Sequence, residues 1–257
     1  MKFSFFGEQK RLQPTRLSVV LKWSILICAI AYLLLYVAVA GRRISYPYDL
    51  EWMEGGSVDH VIRLLSGQRI YVEPSLEFIP FVYTPLFFYV GAVFSRLIGV
   101  GFLSLRLISF LASLGCLAIL FEFVRRETGS VYYGLLSAGL FAATYRIGGA
   151  WFDIARVDSL FLLFLLLSVY LLRFCETTLG LLLSGVLMSL SILTKQPALI
   201  VSAAMAVYCV IYLPRWKKLV FPSVVLLALV ASTLVLNRIS SGWYIYYVFR
   251  LPFQHPV

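Results

Sequence analysis

Charge is scarce in this chain. Asp, Glu, Lys and Arg make up 13% of its 257 residues, against 61% hydrophobic and 16% aromatic. A soluble domain is roughly 25% charged and about 45–50% apolar. The shortage excludes a soluble globular fold. It implies an all-α polytopic membrane protein embedded in a lipid bilayer, because long apolar runs cross a bilayer as helices. Histidine is scarcer still: the only two, His60 and His255, argue against a histidine-based metal centre. The four cysteines, Cys28, Cys116, Cys175 and Cys209, lie in or beside apolar runs without paired spacing. They suggest neither a disulfide framework nor a thiolate metal site. There is no repeat and no low-complexity segment. The first apolar run, residues 17–40, is too long for the core of a signal peptide and is expected to span.

Cations outnumber acids, 22 to 12, for a net charge of +10. This does not imply nucleic acid as a partner, because the cations stand in short clusters between apolar runs, as the positive-inside bias predicts. Lys2, Lys10, Arg11 and Arg16 place the N-terminus in the cytoplasm. Arg125-Arg126 and Arg215-Trp216-Lys217-Lys218 should share that side. Residues 84–100 decide the parity, being apolar but short and carrying Arg96. If they crossed, both later clusters would fall outside, so they are expected to stay at the interface or re-enter. That leaves about seven spans, the later ones near 103–124, 131–143, 159–172, 179–193, 198–213 and 220–236. Residues 1–257 read as one transmembrane module, with outer loops at 41–103 and 144–158. It ends in an outer segment, 237–257, whose Trp243, Tyr244, Tyr246 and Tyr247 read as interface anchors.

Half of the 12 acids crowd into the first outer loop: Asp49, Glu51, Glu54, Asp59, Glu73 and Glu77. After Gly55-Gly56, Val58, Val61, Ile62 and Leu65 recur at helical spacing. This predicts a short amphipathic helix ending near Ser66-Gly67, with Glu54 at its start and Asp59, His60 and Arg63 on other faces. Arg42 and Arg43 would pair with this acidic loop. The second loop adds Asp153, Arg156 and Asp158, and the turn near residue 195 adds Lys195. Each has a plain reading. Asp158 could be a helix N-terminal charge paired with Arg156, Lys195 a cap on a helical hairpin, and Glu54, Glu73 and Glu77 solvated turns. Together they set acids and cations at one rim of the bilayer, where unpaired charge is costly.

Five landmarks in order carry a resemblance. They are Glu54-Gly55-Gly56 with Leu64-Leu65-Ser66-Gly67 and Ile70-Tyr71, then Tyr83-Thr84-Pro85-Leu86-Phe87-Phe88-Tyr89, then Leu105-Arg106-Leu107-Ile108-Ser109. Ala155-Arg156-Val157-Asp158-Ser159-Leu160 and Leu193-Thr194-Lys195-Gln196-Pro197 follow. In these the chain resembles the GT-C-fold glycosyltransferases that use polyprenyl-phosphate sugars, the superfamily of protein O-mannosyltransferases and bacterial aminoarabinose transferases. The resemblance implies inverting transfer of a sugar from a polyprenyl-phosphate-linked donor to an acceptor hydroxyl on the non-cytoplasmic face. The acceptor could be a glycan, a lipid or a protein. A first-loop carboxylate is implied as the base. It is Glu54, or Glu51 or Asp49 displaced by a small gap, because Met53 stands where the family carries Asp. Asp158 is implied as a second acidic residue that orients the acceptor or, with Glu54, holds a divalent cation. Lys195, with Arg156, is implied to lie near the donor phosphate. Members of that superfamily are longer, so a fragment or a minimal form is expected. Two other classes compete: a non-catalytic or truncated membrane subunit, and a lipid or solute transporter. A transporter should carry ionisable residues near mid-span, and here the mid-spans are nearly free of charge.

Overall fold

The computed structural model describes residues 15–175 and 177–254, and every regular element among them is helical. Lys2, Lys10, Arg11 and His255 lie outside the described residues. The helices are α1 (Arg16–Arg43), α2 (Met53–Leu65), α3 (Leu86–Ile98), α4 (Phe102–Thr128), α5 (Val131–Ala143), α6 (Asp158–Phe174), α7 (Thr178–Thr194), α8 (Ala198–Tyr212) and α9 (Lys217–Ile239). Of these, α1, α4 and α9 are long and apolar enough to cross a membrane, while α3, α5, α7 and α8 are shorter apolar helices. The protein is a polytopic all-α membrane protein. Local chemistry sets several ends. Thr15 Oγ1 accepts the Ser18 N–H at 3.3 Å to start α1, and Thr177 Oγ1 accepts the Gly180 N–H at 3.1 Å to start α7. Helix α4 stops at Gly129, whose φ of 67° suits a residue without Cβ.

Side-chain bonds fix which helix ends meet. Arg106, in the first turns of α4, donates to the carbonyls of Arg43 at 3.3 Å and Tyr46 at 2.5 Å, where α1 ends. The end of α1 and the start of α4 therefore share one end of the bundle, and α3 between them makes no net crossing. Arg173 at the end of α6 pairs with Glu127 near the end of α4 at 2.5 Å, which marks the opposite end. Lys195, between α7 and α8, returns to Asp158 at the start of α6, 2.6 Å away.

Lipid tails are as apolar as leucine, so close approach and hydrogen bonds hold membrane helices together. A Cβ on Gly139 of α5 would lie 2.4 Å from Ala29 Cβ of α1. Ser168 of α6 and Ser184 of α7 each donate to the other's carbonyl at 2.8 Å.

Two sequence expectations change. The buried face of α2 is not the apolar stripe alone: Glu54, Ser57 and His60 are buried with Met53 and Val61, while Ile62 is exposed. His60 is buried because both ring nitrogens are satisfied. Nδ1 meets the Gly56 carbonyl at 2.6 Å, and Nε2 accepts the Phe81 N–H at 3.0 Å. The ring stacks on Phe81 and Phe88, with centroids 4.7 and 4.5 Å away. Burial lowers its pKa to about 4, which keeps the ring neutral as that bonding requires. The aromatic segment after α9 is also not a set of interface anchors. Tyr244 and Tyr247 are buried, and Tyr244 packs edge-on against Tyr71 at 5.2 Å, roofing the first loop.

Candidate functional site

The bundle end that joins α1, α4, α6 and α7 carries a buried knot and a half-open chain of charges. The knot is Glu54 with Arg106, both side chains fully buried. Arg106 donates to Glu54 twice, Nε to Oε1 at 2.8 Å and Nη2 to Oε2 at 2.6 Å. The backbone N–H groups of Leu50 and Ala155 add bonds of 2.7 Å each. The rest of the guanidinium is taken by the carbonyls of Arg43, Tyr46 and Tyr48. Burial alone would raise the Glu54 pKa, but Arg106 and the two backbone donors outweigh it and hold the carboxyl below its ordinary value. In this geometry Glu54 has no lone pair to offer a substrate. It ties the first loop to α4 and to the second loop. Arg106 was not singled out from the sequence. The available signal was a lone arginine in an apolar run, which needs a carboxylate partner.

Beside the knot runs a chain of four charges. Arg156 Nη1 lies 3.1 Å from Glu51 Oε1, Arg156 Nε 3.0 Å from Asp158 Oδ2, and Lys195 Nζ 2.6 Å from Asp158 Oδ1. Glu51, Asp158 and Lys195 are 17%, 21% and 23% exposed at the side chain, so these three, unlike the knot, can be reached, while Arg156 between them is buried at 7%. Three of its members come from separate parts of the sequence: the first loop, the turn into α6, and the turn between α7 and α8. The second loop is pinned for the purpose. Ala155 donates to Glu54, and Ser109 of α4 donates to the Arg156 carbonyl at 3.1 Å. Trp151 lies under the Arg156 guanidinium, 4.0 Å from ring centroid to Cζ. Its approach needs Gly149, where φ is 78° and a Cβ would sit 2.8 Å from Trp151 Cε2. Met53, where the resembled family carries Asp, places its Sδ 3.0 Å from Arg156 Nη1.

The remaining candidates separate from this chain. Asp49 is exposed and makes no ion pair among the described residues. Glu73 and Glu77 are exposed. Arg43 does not pair with the first loop. Its partner is Asp153 of the second loop, at 3.3 Å, because the end of α1 abuts that loop. Asp153 is buried, accepts Tyr145 Oη–H at 2.8 Å, and leaves Oδ2 without a partner. Burial raises its pKa to about 6, against the opposing pull of Arg43. An apolar cleft of about 370 Å³ lies between Pro85, Leu86, Tyr89, Leu193, Ser232 and Leu236. Leu193 is two residues before Lys195, so the cleft begins near the foot of the charged chain.

Glu54 and Asp158, the two carboxylates expected to hold a divalent cation, are both engaged within the protein. Each Glu54 oxygen already accepts two hydrogen bonds, and each Asp158 oxygen faces a cation. Among the described residues no three His, Cys, Asp or Glu converge as metal ligands.

Residues 82–243 match the profile of the dolichyl-phosphate-mannose-protein mannosyltransferase family, a stretch that includes Arg106, Arg156, Asp158, Lys195 and the cleft. Glu51 and Glu54 precede it. No curated protein and no solved structure matches the chain. With well over half of its length matched, and with the helical bundle described above, the chain belongs to the dolichyl-phosphate-mannose-protein mannosyltransferase family and is a membrane glycosyltransferase of the GT-C type.

Proposed function

We propose that this protein transfers a sugar from a polyprenyl-phosphate donor to an acceptor hydroxyl on the non-cytoplasmic face of the membrane, with inversion. The observation that carries the reading is the Glu51–Arg156–Asp158–Lys195 chain at the same bundle end as the apolar cleft. The polyprenyl tail lies along the cleft and the phosphate reaches Lys195 and Arg156. The acceptor oxygen forms a bond to the anomeric carbon as the bond from that carbon to the phosphate oxygen breaks. The electron pair leaves with the lipid phosphate, where positive charge stabilises it. The hydroxyl proton passes to a carboxylate.

In an inverting displacement the base and the leaving group stand on opposite sides of the carbon. Asp158 touches Lys195, so it stands on the leaving-group side. Glu51 stands three ion pairs from Lys195 along the chain, meets Arg156 through Nη1 rather than the Nε that faces Asp158, and remains partly open, which makes it the base. Glu54 is saturated by Arg106 and supports the site instead.

The test is release of lipid phosphate from a labelled sugar-phosphate polyprenol in membranes holding the full chain. Wild type should release it, and Glu51→Gln should release it about 10²- to 10⁴-fold more slowly, the usual span for loss of a general base. Glu73→Gln, on the exposed loop, should behave as wild type. Equal rates from wild type, Glu51→Gln and Lys195→Met would remove the reading.

A further inference from the structure

Asp158 presents its two oxygens to two cations from different parts of the chain: Oδ1 to Lys195 Nζ at 2.6 Å and Oδ2 to Arg156 Nε at 3.0 Å. Two oxygens of a phosphate would make the same pair of contacts. We propose that Asp158 is an internal stand-in for the donor phosphate, which displaces it from Lys195 and Arg156 on binding and so releases its carboxylate toward the sugar. This inference rests on the donor reading above.

Charge counting favours exchange over addition. Glu51 and Asp158 already balance Arg156 and Lys195, two anions against two cations. A phosphate that joined them with Asp158 in place would set three anions around two cations, and like charges at such spacing repel. Exposure shows that exchange is feasible here and not at the knot. Glu54 and Arg106 are fully buried, so parting them would strand a desolvated charge. Asp158 and Lys195 are 21% and 23% exposed, so water or another anion can reach either partner. Arg156 would not move in the exchange, because Glu51, the Trp151 ring and the Met53 sulfur hold its guanidinium from other sides. The exchange orders the reaction: the carboxylate becomes free to accept hydrogen bonds from the sugar only once the phosphate is seated.

A direct lipid-binding measurement separates this inference from the activity it rests on. Undecaprenyl monophosphate, without sugar, is titrated onto the full chain in detergent, with undecaprenol as the tail-only control and inorganic phosphate as competitor. Wild type should prefer the monophosphate to the alcohol, and inorganic phosphate should reduce that preference. Lys195→Met should bind it at least tenfold more weakly. Asp158→Asn should bind it roughly three- to tenfold more tightly, because the competing anion is gone. Unchanged or weaker binding by a folded Asp158→Asn overturns the exchange while leaving the donor reading standing. If wild type does not distinguish monophosphate from alcohol, both fall. Should Asp158→Asn not fold, Asp158→Ser removes the same competing anion while keeping a residue type favoured at a helix start. It should also tighten binding, and no gain there overturns the proposal.

Discussion

At the scale of single residues, two neighbouring glutamates have opposite fates. Glu54 accepts four hydrogen bonds in full burial, whereas Glu51 is partly exposed and pairs with the guanidinium of Arg156. Arg106→Met would leave the Glu54 charge buried without its partner, at a cost of about 3–5 kcal/mol. Its unfolding midpoint in detergent should fall steeply, and Glu54→Leu in the same chain should restore part of the loss. Glu51→Gln should unfold like wild type while losing turnover. Asp153 and His60 give a pH signature. Asp153, raised to about 6, binds its proton more tightly when folded than the unfolded Asp, which titrates near 3.9. Its contribution is complete below about pH 4 and fades as pH rises through 6. His60, lowered to about 4, contributes fully above about pH 6.5 and loses its contribution as pH falls toward 4. The two trends oppose each other between those limits. Asp153→Asn removes the compensating one, so on acidification from pH 7 to 4 the variant should lose roughly 2 kcal/mol more stability than wild type. A parallel pair of melting-versus-pH curves would contradict this.

At the scale of elements, hydropathy located the helices, but not which sides of them are buried. The bounds of α4 to α9 lie within a few residues of the apolar runs, because each run is punctuated by Gly, Pro or charge. The face of α2 was misread because hydrophobic spacing carries no information about polar groups that find buried partners: Ser57, His60 and Glu54 turn inward while Ile62 turns out. The partner of Arg106 was illegible for the same reason. Glu54 is 52 residues away, and only the fold brings them together. Small residues mark where elements touch. Gly139 of α5 rests on the backbone of Ala29 in α1, where a Cβ would meet the Ala29 Cα at 2.6 Å. Gly139→Leu should push α1 off α5 and cost about 1–3 kcal/mol, read as a lower melting temperature in detergent. Gly41→Leu on the same α1 is the control, since nothing lies within 4 Å of the added Cβ, and it should melt as wild type.

At the scale of the whole molecule, the site depends on one topological fact. The end of α1, the start of α4, the loop between α5 and α6, and the turn between α7 and α8 must share a face. Charge parity in the sequence expects residues 84–100 not to cross, because basic clusters bias sidedness without any knowledge of packing. It could not anticipate that the first loop reaches the second through Glu54 and Ala155. Single cysteines in a chain with Cys28, Cys116, Cys175 and Cys209 replaced by serine can test the arrangement. Leu76→Cys in the first loop and Ile147→Cys in the second stand at fully and 90% exposed positions on the site side. Leu179→Cys at the start of α7 and Trp216→Cys just before α9 are 65% and 59% exposed at the other end. A membrane-impermeant maleimide added to sealed vesicles should label the first pair together, and the second pair only from the opposite face. Separate labelling of Leu76→Cys and Ile147→Cys would put a membrane between Glu51 and Arg156. Their 3.1 Å contact, and the base and phosphate site built on it, could not then exist.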